Sequence, residues 1–162
     1  MIGPLLSQLM IFAARCLLVM LFLPFSALDK LINRRQALAQ ARQAVASPAL
    51  AKVMLALGAA VEISMSLAIL TGPADRLAAF IFAGYCLMTA VLWKQFWKTA
   101  DFRLKGESPG RDLFWDFLKN VALAGGFLML AFGGDASGVR RFFDHPLASS
   151  HPYAAYAQPA PQ

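Results

Sequence analysis

The sequence predicts an all-α protein built as a four-helix transmembrane bundle, and three observations carry that prediction. Of its 162 residues, 59% are apolar, and the mean hydropathy is +0.56; soluble domains hold roughly 45–50% apolar residues even with Gly counted. The apolar residues gather in four runs, at about 5–28, 50–71, 76–93 and 114–133. Coiled as helices at ~1.5 Å per residue, such runs cross the ~30 Å of a bilayer's hydrocarbon. Strands are excluded because polar and apolar residues do not alternate, and four short runs cannot close a barrel.

The elements follow in order. No Lys or Arg precedes Arg15, and no small-x-small cleavage site lies in the stretch Pro24 to Asp29, so the first run reads as a retained helix rather than a signal peptide. Pro24 is expected to kink it. Residues Gln36 to Val45, rich in Ala, Gln and Arg, predict a short amphipathic helix on the membrane surface. Ser47-Pro48 caps the second span, Thr71-Gly72-Pro73 closes it, and Asp75-Arg76 opens the third, giving a tight antiparallel hairpin. The stretch 94–115 mixes Lys and Arg with Phe96, Trp97, Phe102 and Trp115, as segments at headgroup level do. Residues 1–133 form one domain, and 134–162 have the composition of a polar, disordered C-terminal tail.

Charge sets the expected orientation. Lys30, Arg34, Arg35, Arg42 and Lys52 lie between spans one and two, and Lys94, Lys98, Arg103, Lys105 and Arg111 between three and four. The opposite side carries Arg76, Arg140 and Arg141, so ten basic residues face three. The positive-inside rule then puts both long loops in the cytoplasm and both termini outside. The net charge of +6 reflects this topology, and no soluble basic face for nucleic acid is present.

Ionisable groups inside the apolar runs are the candidate functional residues, since each costs roughly 3 kcal/mol to insert and such groups usually face the bundle interior. They are Arg15, Glu62 and Lys119, joined by Asn120 and by Asp29 at the inner end of the first span. Depth matches Arg15 to Glu62 and Asp29 to Lys119, and helical spacing puts Arg15, Phe22, Ser26 and Asp29 on one stripe and Gly58, Glu62 and Ser66 on another. Two readings compete. The pairs fix helix register, or they form a small-molecule or proton site, with the carboxylate accepting a proton and the cations binding a carbonyl oxygen.

Absences narrow the chemistry. The only histidines, His145 and His151, fall in the tail, so no span supplies a haem ligand. Cys16 and Cys86 are isolated and lack a Cys-x-x-Cys pattern, and there is no Gly-rich nucleotide motif. No intrinsic cofactor and no metal site are expected. The chain also has no inverted repeat of the kind transporters use.

The order Arg15, Phe25-Ser26-Ala27-Leu28-Asp29-Lys30-Leu31, Glu62, then Phe117-Leu118-Lys119-Asn120 with Leu123-Ala124-Gly125-Gly126 resembles the DoxX family of small bacterial four-helix membrane proteins. The resemblance runs from about residue 11 to 133. It implies a small subunit of a quinone-coupled oxidoreductase system in the bacterial inner membrane, or a membrane partner of redox-protective enzymes. Arg15, Asp29, Glu62, Lys119 and Asn120 would then form a quinone-binding and proton-exchanging pocket, with the redox centres in a partner subunit. The alternative is a structural anchor or assembly factor for such a complex, without a ligand site. Where a common pattern of the family has His and an aromatic residue after the third span, this chain has Gln95, Phe96 and Trp97, so no histidine-dependent protonation is expected there.

Overall fold

A computed structural model describes residues 3–154 and shows helices without strands among them. The order is α1 (Pro4–Val19), α2 (Ala27–Ile32), α3 (Arg34–Ala44), α4 (Pro48–Thr71), α5 (Asp75–Trp93), α6 (Pro109–Phe132) and α7 (Ala136–Asp144). Four stretches are long and apolar enough to cross a membrane: 4–32, 48–71, 75–98 and 109–132. With four spans, the start of α1 and the end of α6 lie on one side, here the termini face, and α3 and the 94–108 connection lie on the other, the loop face.

The first span is broken. Proline cannot donate the helical hydrogen bond and crowds the preceding turn, so between α1 and α2 the turn widens over Leu21–Ser26 and Leu23 becomes extended, at φ −123 and ψ 115. The anticipated kink at Pro24 is therefore a true interruption, and it resets which residues of α2 face inward. α4 is as expected. Ser47 accepts a hydrogen bond from the Leu50 N–H at 3.4 Å, and Gly72 ends the helix with φ +102, a conformation that costs glycine little. α6 begins at Pro109, earlier than its apolar run. The buried Ser108 accepts from the Arg111 N–H at 3.2 Å, so capping starts the helix through the polar Gly110-Arg111-Asp112 before hydrophobicity does.

α5 is the centre of the bundle. It packs most extensively on α6 and also on α4. Its buried residues Ala78, Ala79, Ala83, Cys86 and Ala90 are small, which lets neighbouring helix backbones approach closely, as spanning helices require when lipid is no less apolar than the core. The remaining space is filled by Phe22, Phe82 and Phe127, with Phe22 stacked on Phe82 at 4.4 Å and Phe82 at 4.9 Å from Phe127. On the loop face α3 is the anticipated surface helix, held by buried Ala41 and by the Trp93 Nε1–H donating to the Gln40 carbonyl at 3.0 Å. Phe96 sits among Trp97, Phe102, Phe114 and Phe117, with ring centres 5.1–5.5 Å away.

The chain beyond Phe132, expected as a disordered tail, is folded as far as residue 154. Asp135 caps α7 by accepting the Gly138 N–H at 2.6 Å, and Phe142 is buried against Phe80 and Phe132. A Cβ at Gly138 would fall onto the Phe132 carbonyl, so only glycine allows α7 to fold back so closely. Arg76 joins this corner, donating from Nε to the Ala131 carbonyl and from Nη2 to the Gly138 carbonyl. Residues 149–153 then cross the termini face as a strap. The Tyr153 hydroxyl donates to the Leu70 carbonyl at 2.6 Å, and Gln8 Nε2 donates to the Tyr153 carbonyl at 2.8 Å. Residues 134–154 follow the last span, and Phe142 and Tyr153 hold them against the bundle. The rest of the expected tail, 155–162, lies outside the described residues.

Candidate functional site: two buried charge clusters

Glu62 lies on the inward stripe of α4 and is 1% exposed. Its counter-charge is Lys30, whose Nζ stands 2.7 Å from Oε1 and 2.8 Å from Oε2. The Ser26 hydroxyl donates to Oε1 at 3.0 Å while accepting from Lys30 Nζ at 2.6 Å, and the Tyr85 hydroxyl donates to Oε1 at 2.8 Å. A carboxylate with a cation and two hydroxyl donors is the kind of fully bonded arrangement that makes a buried charge tolerable. Ser26 and Lys30 are one turn apart on the chain that follows the break, so the interruption at Leu23–Pro24 aims both at α4. Lys30 is partly accessible, with its side chain 19% exposed.

The second cluster is nearer the termini face. Arg15 is 5% exposed and pairs with Asp75 at 2.7 Å. Arg15 also donates from Nη1 to the Ile69 carbonyl and from Nη2 to the Ser150 hydroxyl at 2.9 Å. Ser150 donates in turn to Asp75, from its hydroxyl to Oδ2 and from its N–H to Oδ1 at 2.8 Å. Asp75 is the first residue of α5, where the positive end of the helix dipole favours a carboxylate. The strap therefore closes this cluster, with Ser150 bonded to both members of a pair that is itself in direct contact.

The anticipated pairings are not those found. Arg15 meets Asp75 rather than Glu62, because α4 turns at Gly72 and brings the start of α5 beside α1. Asp29 is exposed and accepts the Asn33 amide at 2.6 Å, since the break rotates it off the inward stripe. Lys119, with its side chain 72% exposed, pairs with Asp116 on its own helix at 3.3 Å, and Asp116 also holds Lys94 at 2.9 Å. Asn120 donates to the Asp116 carbonyl at 2.9 Å. Of the five candidate residues, Arg15 and Glu62 are buried in separate clusters, and Asp29, Lys119 and Asn120 join neither. Sequence reasoning missed Lys30, Tyr85, Asp75 and Ser150. Lys30 and Asp75 sit at the ends of apolar runs and read as flanking charge and helix cap, whereas the role of Ser150 has no local signal.

Ile69 is seven residues after Glu62 on α4, a rise of ~10 Å, and the layer between the clusters holds Phe22, Ser66 and Phe82. Ser66 is fully buried, and its hydroxyl has no hydrogen-bond partner among the described residues. A buried unpaired hydroxyl costs about 1–3 kcal/mol, so Ser66→Ala is expected to leave detergent-unfolding stability unchanged or to raise it by up to about 1 kcal/mol. A marked loss would mean that the hydroxyl is bonded in the membrane.

The family model of DoxX matches residues 10–95, a span that runs from α1 through α5 and contains Arg15, Ser26, Lys30, Glu62, Asp75 and Tyr85. The chain belongs to the DoxX family. No curated protein and no solved structure matches it. The DoxX match ends before α6, so the family portion of this membrane protein holds every charged member of both clusters but neither Lys119 nor Asn120. Ser150 likewise lies beyond it.

Proposed function

We propose that this DoxX protein is a small bacterial inner-membrane subunit of a quinone-linked oxidoreductase system, with both termini outside and no redox centre of its own. The observation that carries the reading is the Glu62 cluster, a buried carboxylate with a cation and a phenol hydroxyl converging on one oxygen. Lys30 brings that cluster to the surface toward the loop face. Lys30 and Tyr85 are suited to hydrogen-bond the oxygens of a quinone reaching them through lipid, and Glu62 to exchange a proton with it. Reduction of a quinone to the quinol takes two electrons and two protons; the electrons come from the partner subunit, and the protons come from water at the loop face, passed one after the other through Glu62. Arg15, Asp29, Lys119 and Asn120, which stand apart from this cluster, take no part in the reading.

The test is Glu62→Gln, which keeps the shape and removes the exchangeable charge. Membrane insertion should be normal and substrate-driven quinone reduction in membranes should fall about 100-fold; full activity in a folded variant rejects the proposal. A second reading, an anchor or assembly subunit, is favoured by the completeness of the bonding, since both oxygens of Glu62 and of Asp75 already have partners in the chain. On that reading the Gln variant stays active, and only variants that unfold the bundle lose the partner.

A further inference from the structure

We infer that the junction of α2 and α3 is a binding site for the headgroup of an anionic phospholipid. On the loop face, Ile32, Asn33, Arg34, Arg35 and Gln36 line a shallow depression of about 480 Å³. Arg34 and Arg35 are exposed, and neither forms an ion pair among the described residues. The nearest carboxylate in sequence, Asp29, is engaged with Asn33, and Lys30 is committed to Glu62. Two free guanidiniums remain, each with the planar fork that binds phosphate through paired hydrogen bonds.

The surroundings distinguish a lipid from a soluble anion. Below the arginines, Phe25, Leu28 and Ile32 recur at spacings of three and four and are 60%, 48% and 76% exposed. They make an apolar track running from the depression along the membrane-spanning segment, where an acyl chain would lie while its phosphate meets the arginines. Basic pockets beside spanning helices hold lipid headgroups by this combination of charge and apolar contact. Because α2 carries Lys30, a bound lipid would also stabilise the segment that presents Lys30 to Glu62.

The experiment uses the full chain in mild detergent, titrated with phosphatidylglycerol or with phosphatidylcholine of the same acyl chains, and reads retained lipid by native mass spectrometry. Phosphatidylglycerol should be retained and phosphatidylcholine not. Arg34→Gln with Arg35→Gln should weaken phosphatidylglycerol binding about 30-fold, and each single variant about fivefold. Arg140→Gln with Arg141→Gln, on the termini face, should leave it unchanged. Equal retention of the two lipids, an unchanged affinity in the Arg34 and Arg35 variants, or displacement of the lipid by millimolar inorganic phosphate would each overturn the inference, the last by making this a soluble-anion site.

Discussion

Replacing Asp75 by alanine will destabilise the bundle by about 3–5 kcal/mol, because it leaves the Arg15 guanidinium buried without a counter-charge. The side chains of the pair are 6% and 0% exposed. Arg15 would keep only neutral partners, the Ile69 carbonyl and the Ser150 hydroxyl, and its stem has no short route to water beneath the strap. Removing both charges, as in Arg15→Leu with Asp75→Leu, should recover most of the loss, since an apolar pair of similar volume is often as stable as a buried ion pair. Unfolding of the single and double variants in detergent measures the coupling directly. A double variant as unstable as the sum of its parts would show that the two residues act separately.

The Glu62 cluster will respond asymmetrically. Lys30→Ala leaves a carboxylate whose side chain is 2% exposed, and the cost is expected to be about 3 kcal/mol, met in part by the hydroxyls of Ser26 and Tyr85. Glu62→Ala leaves Lys30, which is partly exposed already and can extend its ammonium toward the loop face, so the loss should be nearer 1 kcal/mol. The same unfolding measurement decides the matter. Equal losses would place Lys30 as deep as its partner.

The bundle was legible because hydrophobic length is nearly sufficient for it: four runs must become helices once their backbone polar groups have no water to bond. Caps refined the boundaries at Ser47 and would have done so at Ser108, had its apolar run not begun so late. The site was legible only by residue type. Arg15 and Glu62 stood out because charge in an apolar run is costly, and both are buried. Their partners depended on facts that pattern does not carry, namely how far a proline break rotates Lys30 past Asp29, and which helix start lies beside Arg15 once Gly72 has turned the chain. Depth and helical spacing place Lys119 and Asn120 inward, but α6 presents them away from the clusters. Polar composition predicts disorder at 134–154, whereas Phe142 and Tyr153 anchor that segment on the bundle.

The strap places a boundary inside what looks like an appendage. The DoxX portion ends at residue 95, yet the hydroxyl that bonds to both Arg15 and Asp75 arrives from residue 150. Shortening the chain to its family portion would unroof that pair and let water reach a charge otherwise sealed by protein. The family match therefore takes in both charges of the pair and leaves out the residue that covers them, so in this chain the family portion and its roof come from different parts of the sequence.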